Sequence, residues 1–277
     1  MNIKPKKTLG QNWLVNPHIL DKVVSAAEIS KADTILEVGP GTGNLTKKLA
    51  EKAGKVIAIE KDSRLVDCLK NEFSTKYAMT KSVEIVEGDI LKIDIEKLSR
   101  DLNLEIRHFT YKVVGNIPYY ITSNFLRTIF ESAGWRMTQP KLIVLTVQKE
   151  VARRIMARPP HMNLLALSVQ YYSEPEIIGY ISKNNFRPVP KIDSAIIKLK
   201  PKNNEHRNKE QEEKLFALMR IGFSEKRKQL APILSKKLKI PKDELLEAFK
   251  ETGIKETARA ENLSPEQWEN LHISISE

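Results

Sequence analysis

The chain contains a single cysteine, Cys68, in 277 residues. That excludes an internal disulfide framework and fits a reducing compartment. Cys68 falls beside Leu65 and Leu69 on a helical pattern, which points to packing rather than nucleophilic chemistry. His18, His108, His161, His206 and His272 are scattered, and none has a cysteine or second histidine at ligand spacing. No metal is expected, and these histidines read as surface or loop residues. No apolar run approaches the ~20 residues that a membrane-spanning helix needs. The opening MNIKPKKTLGQNWL is basic and lacks the apolar stretch of a secretory leader. A soluble, cytoplasmic protein with no membrane partner is the expectation.

What the chain has in excess is positive charge, +11 in total, and it is unevenly spread. Residues 183–240 carry 16 Lys/Arg against 6 Asp/Glu, whereas residues 241–277 carry 4 against 9. A basic surface needs no particular partner. A segment that concentrates the excess is better explained by a phosphate backbone, whose neutralisation drives binding. The densest cluster, Lys226-Arg227-Lys228, reads either as a solvated helix start or, with Arg220, Arg153 and Arg154, as an RNA phosphate-contacting surface. The second reading is favoured.

The first two-thirds of the chain alternate Val/Ile-rich runs with helical stretches. Residues 34–39, 55–60, 83–89, 111–117 and 141–147 are nearly continuous in apolar character, as strands buried on both faces are. Between them, residues 44–52, 63–73 and 122–132 space apolar side chains three and four apart. Such alternation predicts an α/β fold with a parallel, doubly wound sheet. Residues 167–172 and 195–199 are expected as two further strands, forming an antiparallel hairpin at one edge. After Pro201 a charged linker, KPKNNEHRNKEQEEK, leads into helical patterns over 212–222, 226–237, 242–250 and 265–271. Pro241 and Ser264-Pro265 read as helix starts. The expected organisation is therefore an α/β domain over 1–202 and a small helical RNA-binding domain over 203–277.

Glu37-Val38-Gly39-Pro40-Gly41-Thr42-Gly43 follows the first strand and opens a helix. Glycines at alternate positions allow a sharp turn and a close approach by a nucleotide-like ligand. The spacing G-x-G-x-G differs from the dinucleotide fingerprint G-x-G-x-x-G. Glu60 ends the second strand, where a carboxylate can accept the hydroxyls of a ribose. Asp89 closes the third strand and could accept from an adenine amine. Together these residues indicate an adenosine-containing cofactor without choosing which.

The choice rests on Asn116-Ile117-Pro118-Tyr119 at the end of the fourth strand. The exocyclic amine of adenine is a poor nucleophile, because its lone pair is delocalised into the ring. Two acceptors aimed at its hydrogens, the Asn116 side-chain oxygen and the Ile117 carbonyl, favour a pyramidal, nucleophilic nitrogen. Pro118 stiffens the turn, and Tyr119 offers a face on which the base can stack. The bland reading is a strand-ending turn, for which Asn and Pro are common. Following the glycine loop and the two acidic strand ends, catalysis by methyl transfer is the stronger one.

In its ordered landmarks, LGQNWL (9–14), EVGPGTGNLT (37–46), Glu60, GDI (88–90), NIPYYITS (116–123), QKEVARR (148–154), FRPVPKIDSA (186–195), FSEKRK (223–228) and RAENLSPEQW (259–268), the chain resembles the KsgA-type small-subunit ribosomal RNA adenine dimethyltransferases. The resemblance spans nearly the whole chain. It implies a Rossmann-like, S-adenosylmethionine-dependent methyltransferase domain followed by a small helical domain. It further implies cofactor contacts from Asn12, Leu14, Gly39, Gly41, Glu60, Asp89 and Asn116, and a role for Phe186 on the face of the target base opposite Tyr119. Without the resemblance, Phe186 reads as a packing anchor. The implied reaction dimethylates two neighbouring adenines near the 3′ end of small-subunit rRNA; the expected partner is that rRNA within an immature small subunit, and a monomer is the expected state. Two departures stand out: ARPPHMNLL (157–165) lacks a glycine often found there, and Trp13 replaces a commoner Phe. Competing readings are a related methylase of large-subunit rRNA, a non-enzymatic assembly or nucleic-acid-binding factor, and an NAD-dependent oxidoreductase.

Overall fold

The computed structural model describes residues 3–76, 82–102, 110–132, 135, 138–203 and 208–276; His108 and His206 lie outside them. The chain forms two compact units, Met1–Ala152 with Ser173–Pro201, and Arg153–Tyr172 with Lys202–Glu277.

In the first unit the strands are β1 (Trp13–Leu14), β2 (Thr34–Val38), β3 (Lys55–Glu60), β4 (Val83–Glu87), β5 (Tyr111–Asn116), β6 (Leu142–Gln148), β7 (Ser173–Ile181), β8 (Phe186–Arg187) and β9 (Ser194–Pro201). Seven of them form one sheet in the order β4-β3-β2-β5-β6-β9-β7. Strands β2 to β6 run parallel to one another, and β9 and β7 close one edge antiparallel. The order reverses between β2 and β5, which opens a crevice at the carboxyl ends of the strands. Helices α1 (Pro17–Ala26), α2 (Asn44–Lys52), α3 (Ser63–Lys76), α4 (Ile95–Asp101) and α5 (Thr122–Glu131) connect them, and α6 (Lys149–Ile155) follows β6. The uniform burial of Ile35, Leu36, Val56, Ile57, Val113 and Val114 explains why these strands read as unbroken apolar runs. Capping sharpens the helix starts. The Asn16 side chain accepts from the His18 N–H at the head of α1, and Asp94 accepts from Lys97 at the head of α4.

The helical unit holds α7 (Leu164–Tyr172), α8 (Lys209–Gly222), α9 (Leu230–Leu238), α10 (Lys242–Glu251) and α11 (Pro265–Ser274). Ser264 and Gln267 form a reciprocal capping box at α11. Residues 167–172, expected as a strand, belong to α7. Asn163 Oδ1 accepts from the N–H groups of Leu165 and Ala166 and starts this helix. A short run buried on all sides does not reveal its period. The edge strand is instead β7, obscured by the charges and proline of SEPEIIGYI. Pro175 is tolerated there because β7 lies at the sheet edge.

The helical unit also claims residues 153–172, so a single division near 202 captures only the second crossing of the chain. Tyr172 stacks on Phe216 with ring centroids 5.5 Å apart, and Tyr171 meets the same ring edge-on at 5.3 Å. These contacts draw α7 to α8. The charged linker is shorter than expected, since α8 begins at Lys209 and buries Glu212. The helix expected over 226–237 is interrupted, so Lys226-Arg227-Lys228 occupy a turn between a short 3-10 helix (Phe223–Glu225) and α9. His272 is buried rather than exposed, its Nε2 lying 3.1 Å from Gln211 Oε1. Among the described residues no helix is long and apolar enough to cross a membrane.

Candidate active site

A cleft open to solvent lies at the carboxyl ends of β2, β3 and β5 and the loop after β4. It gathers Asn12, Leu14, Gly39, Gly41, Glu60, Asp89, Asn116, Ile117, Pro118 and Tyr119, residues drawn from five separate stretches of sequence. The loop after β2 turns through positive φ at Gly39 (67°), Gly41 (57°) and Gly43 (78°). Such angles strain any residue with a Cβ. At Gly41 space is also missing, because a Cβ there would sit 2.6 Å from Trp13 Cδ1.

The N–H groups of the loop glycines are already engaged. Gly39 donates to the Ile59 carbonyl, Gly43 to that of Pro40, and Gly41 to Glu60 Oε2 at 3.1 Å. Gly39 and Gly41 therefore offer a ligand shape rather than donors. A loop built to hold a diphosphate aims such groups outward.

Glu60 Oε1 accepts from the backbone N–H groups of Lys61 and Asp62 at 2.8 and 2.9 Å. Burial raises its carboxyl above the ordinary range, against the pull of the Asp62, Gly41 and Lys61 N–H bonds. These bonds leave acceptor capacity on both oxygens for hydroxyl donors. Asp89 accepts from Lys61 Nζ at 2.8 Å and from the Leu91 N–H at 3.1 Å. Burial works to raise its carboxyl, but these partners outweigh it and hold the group below its usual value. Among the described residues, the charged ones lining the cleft are Glu60, Lys61 and Asp89. With Lys61 paired to Asp89, the lining favours a cationic ligand over a diphosphate.

Asn116 Nδ2 donates to the Asn12 carbonyl at 2.9 Å. That bond fixes the amide and leaves Oδ1 as an acceptor. The Tyr119 hydroxyl lies 2.7 Å from Ser194 Oγ, and Ser194 is fully buried at the start of β9. Burial raises the phenol, with Ser194 opposing. The pair ties the turn after β5 to the sheet and sets the orientation of the ring.

Phe186 is the predicted catalytic residue that the structure does not bring to the cleft. It is fully buried, pairs with Leu14 across β1–β8, and packs in the core with Leu14, Leu20 and Ile196. Antiparallel pairing turns its ring inward beside Leu14, so in this structure it is the packing anchor. Arg153, Arg154, Arg220, Lys226, Arg227 and Lys228 are all exposed, and all belong to the helical unit. Lys228 is held by Glu225. Three residues near the site were not among the expected site residues: Ser194, Glu37 and Asp62. Glu37, inside β2, is fully buried, and neither carboxylate oxygen has a partner of good hydrogen-bond geometry. Burial pushes its carboxyl up to about 8, against a smaller opposing contribution from the Thr46 hydroxyl. Its place at the head of the glycine motif was the available clue.

A family model, ribosomal RNA adenine dimethylase, matches residues 2–277. The chain belongs to the ribosomal RNA adenine dimethylase family. The chain is 38% identical to a ribosomal RNA small subunit methyltransferase A of Dehalococcoides mccartyi over 99% of this chain and 89% of that one. It is 37% identical to the protein of that name from Clostridioides difficile, over 99% and 92%. A dimethyladenosine transferase from Plasmodium falciparum superimposes with a TM-score of 0.77 at 29% identity, covering 95% of this chain and 97% of the other. The 23S rRNA methyltransferase ErmE shares the fold, with a TM-score of 0.74 at 24% identity over 96% and 100%. The protein is thus a methyltransferase, and its cofactor is S-adenosylmethionine. The cleft fits that cofactor: its two carboxylates are acceptors suited to ribose hydroxyls, an adenine amine and a positive sulfonium, and among the described residues no cluster of cations lines the wall.

Proposed function

We propose that this enzyme transfers two methyl groups to the exocyclic amine of each of two adjacent adenines near the 3′ end of small-subunit rRNA. The substrate is an immature small subunit, and the enzyme works in the cytoplasm as a monomer. The observation that carries this reading is the Asn116 amide, anchored by Asn12 with its oxygen left to accept. When bound, S-adenosylmethionine supplies an electrophilic methyl group. Asn116 Oδ1 and the Ile117 carbonyl accept the two amine hydrogens of the target adenine, and Tyr119 stacks on its ring. Glu60 holds the ribose hydroxyls of the cofactor, Asp89 its adenine amine, and Asn12, Leu14 and the Gly39–Gly41 loop shape the remaining wall. Proximity and orientation supply most of the rate, since nitrogen becomes acidic once methylated and needs no strong base. The exposed Arg153, Arg154, Arg220, Lys226, Arg227 and Lys228 contact RNA phosphates.

Action on large-subunit rRNA is the second reading, favoured by the fold shared with ErmE. The names and higher identity of the full-length relatives support the small subunit. The deciding experiment offers immature small subunits and large-subunit rRNA to the enzyme with labelled S-adenosylmethionine. Mass spectrometry of the digested RNA should find dimethyladenosine at two adjacent positions of the small-subunit RNA. Methylation of large-subunit RNA alone would overturn the assignment.

A further inference from the structure

The segment Lys6–Trp13 forms part of the cleft wall, yet no side chain in it is fully buried before Leu14. Apolar packing therefore holds it weakly. At its end Trp13 pairs with Arg187 across β1–β8, and before that two polar points hold it. One is the bond from Asn116 to the Asn12 carbonyl. The other is Asp62, two residues beyond Glu60. The Asp62 side chain is 0% exposed, and donors converge on it from both sides. Arg64 contributes Nε at 3.0 Å and Nη2 at 2.7 Å, Lys6 contributes Nζ at 3.2 Å, and Gln11 contributes Nε2 at 3.0 Å. Gln11 Oε1 in turn accepts from the Lys6 N–H at 2.7 Å, closing the strap on itself. The Asp62 N–H donates to Glu60 Oε1, so the same residue touches both the proposed ribose acceptor and the strap.

We propose that Asp62 is a positioning residue for cofactor binding: its buried carboxylate latches the Lys6–Asn12 strap against the end of β3, holding Asn12 and Glu60 on opposite sides of one cleft. The inference rests on the cleft being the S-adenosylmethionine site. The carboxylate is well suited to a latch. The Arg64 guanidinium, with Gln11 and Lys6 behind it, holds the group well below the usual carboxylate range, so it is charged at neutral pH. A charge buried among four hydrogen bonds fixes geometry more tightly than an exposed ion pair does. Lys6 and Arg64 keep their own charges partly in water, with side chains 43% and 41% exposed. The cost of burial thus falls mainly on one group.

The test is Asp62→Asn in the full chain, with cofactor binding measured by calorimetry and the strap followed by hydrogen exchange. S-adenosylmethionine binding should weaken by about tenfold, as loss of a charged hydrogen-bond partner implies. Amide exchange across residues 6–12 should accelerate in the cofactor-free protein while β3 and β5 keep their protection. The KM for cofactor should rise by a similar factor, with kcat at saturation little changed. Gln11→Ala approaches the latch from the strap side, leaves the end of β3 intact, and should reproduce the effect; combined with Asp62→Asn it should add little. A lowered melting temperature with wild-type cofactor affinity and strap protection would make Asp62 a fold residue only. Should Asp62→Asn fail to fold, Gln11→Ala and Lys6→Ala decide alone, and normal affinity in both overturns the latch. Glu60→Ala is the control on the cleft: unchanged affinity there means the site is misassigned, whereas a loss confined to Glu60→Ala defeats only the latch.

Discussion

Asn116 can act as an oriented acceptor only because its amide nitrogen is spent on Asn12, 104 residues earlier in the chain. Asn116→Ala removes a preorganised partner of the reacting amine and should lower turnover ~100-fold or more. Single-turnover methylation at saturating cofactor measures this, and a rate within threefold of wild type would refute the role. Glu37 presents a different case, since it is buried beneath the glycine loop with its carboxyl pushed up to about 8. The folded state then retains a proton that the unfolded chain releases near its ordinary value of 4.5. Stability conferred in this way is complete below that value and declines as pH rises to about 8, with a slope approaching ~1.4 kcal/mol per pH unit. Thermal unfolding of the cofactor-free protein should show Glu37→Gln flattening this decline and exceeding wild type at pH 8. Identical pH profiles would mean that Glu37 is ionised in the fold.

At the scale of elements, the site is a junction of strand ends. Glu60 closes β3 and also receives the Gly41 N–H from the loop after β2, so one carboxylate joins two elements. Glu60→Ala should weaken S-adenosylmethionine binding by ~1–3 kcal/mol while leaving RNA affinity nearly unchanged. Calorimetry for the cofactor and filter binding for RNA separate these effects; full cofactor affinity would return Glu60 to an ordinary strand end. This junction was legible in part. The glycine motif, Glu60, Asp89 and Asn116 each end a Val/Ile-rich run, and parallel strands bring such ends to one edge. The hydroxyl of Ser194 under Tyr119 was not legible, because 75 residues separate the partners and neither element announces the pairing.

On the scale of the whole molecule, the densest basic cluster, Lys226-Arg227-Lys228, lies in an exposed turn of the helical unit, while the cleft belongs to the other unit. Replacing all three with Ala should weaken RNA binding and lower its salt dependence. Each lost phosphate contact should flatten the slope of log affinity against log salt by roughly 0.7 to 0.9. Lys228 is engaged by Glu225 and should contribute least of the three. Cofactor affinity should not change. Binding isotherms over several salt concentrations provide the measurement, and parallel lines for wild type and variant would mark the cluster as a solvated turn. The RNA surface would then be sought at Arg153 and Arg154.

The local pattern alone determined the α/β class, the carboxyl-edge placement of the acidic and glycine motifs, and their nearness to the Asn-Ile-Pro-Tyr turn. Those features depend on periodicity and on residue type at a strand end, both of which are written along the chain. Tertiary structure alone decided that residues 167–172 form a helix, that the helical unit takes residues 153–172 from within the first two-thirds, and that Phe186 turns into the core. It also decided which polar groups meet: Asn12 with Asn116, Ser194 with Tyr119, and Lys6, Gln11 and Arg64 with Asp62. A uniformly buried run has no visible period, and a hydrogen bond between distant residues leaves no spacing to read. Both are settled only when the sheet closes and the strap is laid across it.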